Sequence, residues 1–277
     1  MLIHKSKLDF VLTVLSIGSS LFFVGLFFWL LSSFIPSIGD ALRPSFLFSE
    51  PQNAGREGGI FPIIVGTLAI LCLSLLISFF VSFGFSIFLQ ELRLRHEVYG
   101  RAFSFLLFFI AGIPSIVFGL VGNNFFGQFL GLGYSILSGA LTVSMMMIPL
   151  MTHSFSIGFR SIDLNQYSVC ESLNLSKFSS YFNVLLPQIK VFVISGTILA
   201  SGRVLAETAA LLFTSGYVDR MPTSLFDSSR TLTIHIYDLA LNVPGGELAA
   251  QKTSVILVLI LLVTNFSIYR INHWRLN

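Results

Sequence analysis

Arg203 and Glu207 lie four residues apart in GTILASGRVLAETAALLF, an otherwise apolar run. On a continuous helix the two charges share one face and can pair. A charged residue near the centre of a membrane helix costs about 2.5–3.5 kcal/mol on insertion. Such residues therefore face a bundle interior or a wet cavity. In one reading, Arg203 presents positive charge to a passing anion and Glu207 tunes or releases it. In the other, the two neutralise each other as a structural ion pair. Thr208 adds a hydroxyl beside them, available to the same route or to helix packing.

Other chemistry is sparse. The five histidines (His4, His96, His153, His235 and His273) are scattered, so no metal site is expected. The two cysteines form no C-x-x-C pair. No G-x-x-x-x-G-K-[ST] loop is present, so the chain shows no means of hydrolysing ATP by itself. A formal charge of +3 without a basic cluster gives no reason to expect nucleic acid. No His/Asp/Glu cluster near a membrane face suggests a membrane-bound enzyme.

The elements that must position these residues are membrane helices. The chain has 277 residues, 54% hydrophobic and 10% charged, with 30 Phe. A soluble domain carries about 25% charged residues, so most of this surface must meet lipid. Apolar runs predict six spans: Val11–Ile35, closed by Pro36, then Ile60–Leu89, Ala102–Val121, Gly131–Thr152, Val191–Gly216 and Thr253–Tyr269. Residues 37–59 read as a polar linker and QELRLRHEVYGR as a short charged loop. Pro114 is expected to kink the third span. Gly58, Gly59, Gly66 and Gly119 suit tight turns or close helix approach. The fold class is thus all-α, a polytopic membrane protein with about six transmembrane helices.

Basic residues orient the spans. One side collects Lys5, Lys7, Arg93, Arg95, Arg101, Arg160, Lys177, Lys190, Arg270 and Arg275. The other holds Arg43, Arg56, Arg220, Arg230 and Lys252. Both termini are therefore expected in the cytoplasm. On the opposite side, Arg220 and Arg230 are candidates for contact with an external protein.

The longest cytoplasmic segment, His153–Lys190, repeats Leu164, Tyr167, Leu173, Phe178, Phe182 and Leu185 at near-helical spacing. This predicts two short amphipathic helices with a turn near Asn174, the second limited by Pro187. They could lie on the membrane or dock in a partner's groove.

This segment resembles the membrane subunits of type I ABC importers. Their signature is EAA, three residues, Gly, nine residues, then I-x-LP. Here Ser168-Val169-Cys170, Asn174 and Val184-Leu185-Leu186-Pro187 keep the spacing. Ser168 replaces the acid, Glu171 lies one residue past the triplet, and Asn174 replaces the glycine. Asn is the next-best residue for a left-handed turn. In the family this loop seats in an ATPase subunit. The resemblance implies that role for the segment from Asp163 to Lys177, with Tyr167, Ser168, Glu171, Asn174 and Pro187 among its residues.

GGIFPIIVGTLAI at 58–70, IPSIVFGLVG at 113–122 and ETAALLFTSG at 207–216 resemble the phosphate-specific permeases, of the PstA type rather than the PstC type. This implies a type I importer permease fold, with residues 1–57 as an N-terminal helix and external linker. Residues 58–277 would be the transporter unit, with a coupling loop at about 153–190. It implies a bacterial inner-membrane location and phosphate uptake driven by ATP in a separate subunit, with no cofactor bound by this chain. The implied partners are a PstC-type permease, PstB-type ATPases and a PstS-type external binding protein. Another oxyanion, such as sulfate or molybdate, and a non-transporting paralogue are the alternatives.

Overall fold

The computed structural model describes residues 7–274; Lys5 and Arg275, counted in the charge balance, lie outside them. The fold is helical throughout, apart from a hairpin of two short strands, β1 (Pro51–Gln52) and β2 (Glu57–Gly58). Five helical segments are long and apolar enough to cross a membrane, and a sharply bent pair makes a sixth.

The first span is α1 (Lys7–Ser32). It ends before Pro36, which sits instead in the first turn of α2 (Ile35–Ala41), where proline's missing N–H is harmless. The linker is also ordered: α2, α3 (Pro44–Phe48) and the hairpin fill it. The second span, α4 (Phe61–Arg95), runs six residues past Leu89. The charged loop is thus reduced to a break at His96 before α5 (Glu97–Ala111).

The core is built on α7 (Ile136–Ser161), packed along α4 on one side and α10 (Leu186–Ala206) on the other. Ser74, Ser78, Ser82 and Ser86 recur every fourth residue on α4, and each is fully buried. Small side chains let the two backbones approach, and their hydroxyls find carbonyls rather than lipid. The Ser144 hydroxyl donates to the Ser74 carbonyl at 3.2 Å, and Ser82 donates to the Ile148 carbonyl at 3.1 Å. Toward the end of the bundle that carries the loop between α7 and α10, Phe83, Phe155, Phe159 and Tyr181 close the core with tilted and edge-on rings.

Two spans are broken. The third divides into α5 and α6 (Ser115–Gly122), which continues as a π turn over Asn123–Phe129; the halves meet at 89°. Pro114 therefore does not kink a continuous helix. It stands outside α6 at φ −57°, ψ 139°, as the extended residue that starts a new one. The fifth span begins early, at α9 (Lys177–Ser179), and continues through a π turn at Ser180–Leu185 into α10. Pro187 does not end it, because the wider turn shifts the hydrogen-bond register just ahead of the proline. The span breaks instead at Glu207, and a single turn, α11 (Ala209–Leu212), follows. The two breaks lie together: a Cβ on Gly119 of α6 would stand 2.8 Å from the Ala210 Cα of α11. A short α12 (Leu232–Leu241) precedes the last span, α13 (Glu247–Trp274). The α8 helix (Leu164–Ser172) links α7 to α9 on the opposite face of the molecule.

Candidate functional site

The two breaks enclose a cavity of about 400 Å³, lined by Ser115, Arg203, Ala206, Glu207, Thr208 and Ala209. Its walls follow from where each helix stops. α10 ends at Ala206, and Glu207 is extended at φ −78°, ψ 125°. The carboxylate of Glu207 accepts the Ala210 N–H at 3.1 Å and so caps α11. Its carbonyl accepts the Thr233 hydroxyl at 2.7 Å, which ties the break to α12. Glu207 is buried, whereas Arg203 is exposed.

The expected Arg203–Glu207 pair is therefore corrected. Among the described residues no ion pair within 4 Å joins them. An i,i+4 pair needs an unbroken turn, and the backbone leaves the helix between the two. Glu207 spends its charge on the free N–H of the next turn. Arg203 keeps its charge facing the cavity. It also lines an apolar cavity of about 90 Å³ with Ala111, Ile113, Phe118, Met146 and Leu150.

Thr208 lines the same cavity. Ser115 was not singled out from the sequence. Its signal is the I-P-S tripeptide inside an apolar run, where proline can begin a helix as readily as bend one. The first turn of α6 carries unpaired N–H groups and the positive end of the helix dipole. Arg203, this helix start and the Thr208 hydroxyl give the cavity the donor-rich lining that suits an oxyanion.

The second candidate region is the loop between α7 and α10. Asp163 caps α8 by accepting the Asn165 N–H at 3.1 Å. Asn174 closes the turn at φ +50°, the left-handed geometry expected of it. The Leu175 N–H then reaches back to the Cys170 carbonyl at 3.1 Å. Ser176 caps the next helix through the Ser179 N–H at 3.2 Å.

The periodic apolar residues do not share one face. Tyr167 and Leu185 turn inward: Tyr167 donates its hydroxyl to the Phe159 carbonyl at 2.9 Å, and burial pushes its phenol up to about 12. Leu164, Leu173 and Phe178 are each about two-thirds exposed and point away from the bundle, as does Val169. Phe182 stacks on Phe178 with ring centres 4.4 Å apart. An apolar surface of this kind suits either the membrane surface or a partner's groove. Ser168 and Glu171 are exposed on the same short helix.

A carboxylate from outside the loop packs beneath it. Glu91, near the end of α4, ion-pairs with Lys177 and accepts the Tyr181 hydroxyl at 2.9 Å. These residues, with Tyr167, Cys170 and Asn174, line a cleft of about 360 Å³ under the loop. Local sequence marks Glu91 only as an i,i+4 partner of Arg95 at 4.0 Å; the two partners that tie it to the loop lie 86 and 90 positions away.

On the far face, Arg230 is not free to meet an external protein. It is buried, pairs with Asp238 at 3.1 Å, and donates to the Tyr217 carbonyl at 2.9 Å. Arg220 remains exposed.

Comparison with known proteins agrees with this architecture. The chain is 28% identical over 259 residues to a probable ABC transporter permease protein, YqgI, of Bacillus subtilis, covering 88% of this chain and 86% of that one. It is 30% identical over 250 residues to the phosphate transport system permease protein PstC of Pasteurella multocida, covering 79% and 76%. A phosphate transport system permease protein PstA homolog of Mycoplasma pneumoniae is 29% identical over 183 residues, covering 63% of this chain and 28% of that one. Among solved structures, a bacterial ABC transporter involved in the import of the acidic polysaccharide alginate superposes with a TM-score of 0.65 at 15% identity. That match covers 96% of this chain and 97% of the other, and it speaks to the fold. Residues 82–274 match the family described as binding-protein-dependent transport system inner membrane component, and the chain belongs to that family of ABC importer permeases.

Proposed function

We propose that this chain is the PstA-type permease of an inorganic phosphate importer, with Arg203 as the cationic station of its pathway. The observation that carries the reading is the cavity between the two broken spans. There Arg203 is exposed while the neighbouring Glu207 is turned inward onto α11. An anion entering the cavity meets an unneutralised guanidinium and a helix start rather than a closed ion pair. Phosphate, among the oxyanions, is favoured by the names of the relatives, several of which are phosphate permeases.

Residues 58–277 form the transporter unit in this reading, and both termini lie in the cytoplasm of a bacterial cell, at its inner membrane. The segment from Asp163 to Lys177 docks a PstB-type ATPase through the exposed face of Leu164, Val169 and Leu173. A PstC-type permease supplies the other half of the pathway, and a PstS-type protein delivers phosphate from outside. ATP is consumed in the partner, and this chain performs no covalent chemistry.

The test is uptake of labelled phosphate into proteoliposomes holding the assembled importer. A hydrogen bond to a charged group contributes about 1.5–3 kcal/mol, so Arg203→Gln should lower uptake efficiency roughly 10- to 100-fold. Wild-type uptake by an assembled R203Q importer would refute the role of Arg203. Competition by sulfate or molybdate equal to that by phosphate would move the reading to a broader oxyanion importer. Stable isolation without any ATPase would make the chain a non-transporting paralogue.

A further inference from the structure

Two guanidinium groups and an imidazole outside the Arg203 cavity lie near the coupling-loop end of the membrane. Arg93 stands at the end of α4, and His153 and Arg160 stand on α7. Hydrogen bonds from Ser78 to the Ser144 carbonyl and from Ser82 to the Ile148 carbonyl set α4 and α7 parallel, in a register that brings Arg93 level with Arg160, and the Arg160 Nε reaches back to the Ser156 carbonyl, toward His153. The two like-charged guanidinium groups repel each other, and an anion sharing the site would relieve that repulsion.

No carboxylate of this chain fills that role among the described residues. Arg93 and Arg160 belong to no ion pair. The one acidic group acting on Arg93 is Glu97, which already holds Arg101 in an ion pair.

The placement of Arg93 is built rather than incidental. Its stem crosses α5 at Gly100, where a Cβ would stand 2.1 Å from the Arg93 Cγ. Any other residue there would push the arginine aside. Beyond the glycine, one Nη donates to the Ser104 hydroxyl, while the buried Nε has no partner. Arg160 and His153 are exposed on the outer surface of α7, seven residues apart and so on one helix face. Two guanidinium forks and an imidazole offer donors that match the several oxygens of a phosphate group.

We propose that Arg93, His153 and Arg160 form a phosphate-group binding site at the coupling-loop end of the membrane. The group is either inorganic phosphate leaving the pathway or the headgroup of an anionic phospholipid. The first source rests on the transport reading; the second does not.

The experiment uses the complete importer in nanodiscs. Two probes are applied: labelled inorganic phosphate in phosphatidylcholine discs, and retention of phosphatidylglycerol by native mass spectrometry. Replacing two charged donors with Arg93→Gln and Arg160→Gln should weaken one probe about tenfold or more. The charge-preserving pair R93K and R160K should stay within about threefold of wild type in that probe. If the double Gln variant fails to assemble, Arg160→Gln alone, at an exposed position, is expected to give about a fivefold loss. Loss of phosphate binding assigns the free anion, and loss of phosphatidylglycerol assigns the lipid. An assembled Gln variant that matches wild type in both probes overturns the site, whatever the uptake data show. Retained phosphatidylglycerol sensitivity in an importer that takes up no phosphate would keep the site and remove the transport reading.

Discussion

His235 makes the far face of this protein acid-sensitive. It lies on α12, fully buried. Its Nδ1 is 3.3 Å from Nη1 of Arg230, the same nitrogen that pairs with Asp238. Arginine can only donate, so Nδ1 accepts and Nε2 carries the ring proton. Nε2 has no partner, and the ring edge abuts Gly55 at the tip of the β1–β2 hairpin. Burial first, then the charge of Arg230, push its pKa from the ordinary 6.5 down to about 3, with Asp238 opposing. The folded state thus refuses a proton that the unfolded chain accepts. Stability is intact above pH 6.5 and erodes as pH falls toward 3, at about 1.4 kcal/mol per unit. Between pH 6.5 and 5 the loss is about 2 kcal/mol. The measurement is unfolding of the purified chain in detergent at about pH 7 and pH 5, wild type against His235→Asn, with the difference in pH response as the readout. Asn keeps an acceptor for Arg230 but does not titrate. Wild type should lose about 2 kcal/mol more than the variant on acidification, with the hairpin the first segment to gain hydrogen exchange. Parallel pH responses in the two proteins would refute a buried, neutral His235.

Gly119→Ala should destabilise the chain by about 1–3 kcal/mol and lower uptake, because the new Cβ meets backbone on α11 that cannot rotate away; unchanged melting together with unchanged uptake would contradict the close α6–α11 contact. Lys177→Gln should change stability by about 1 kcal/mol or less, since the lysine end of its ion pair with Glu91 is solvent-exposed. If the loop docks an ATPase, the same variant should reduce stimulation of ATP hydrolysis by loaded binding protein, and full stimulation would argue against a coupling role for this ion pair.

The spans were legible because lipid demands runs of about 20 apolar residues and leaves little room for other solutions. The Asn174 turn was legible for a local reason, since few residues tolerate positive φ. The breaks were not. Pro114 in an apolar run reads equally as a kink or a helix start, and the choice depends on whether a neighbour accepts the exposed backbone. For the fifth span, the sequence between Arg203 and Glu207 contains nothing that stops a helix. The break there is held from outside, by the Thr233 hydroxyl on the Glu207 carbonyl and by α6 lying against α11. The same limit hid Glu91, whose role depends on a loop nearly ninety residues away. In each case the residue type was informative, and the missing knowledge was which distant element would stand beside it.

The two breaks explain each other. An unwound turn facing lipid leaves N–H and C=O groups unpaired, each costing several kcal/mol. Irregular backbone persists at membrane depth where it is buried in protein or lines a wet cavity. Here Glu207 satisfies one N–H of α11, and the cavity opens onto both helix starts, where water can reach the groups that remain. A cavity with water and unpaired N–H groups is already favourable to anions. It is also the environment in which Arg203 can stay charged at a tolerable cost. The features that stabilise the irregular backbone and those that would receive an oxyanion are therefore the same atoms. A substitution that closed either break into a regular helix should stabilise the fold in lipid while removing the site.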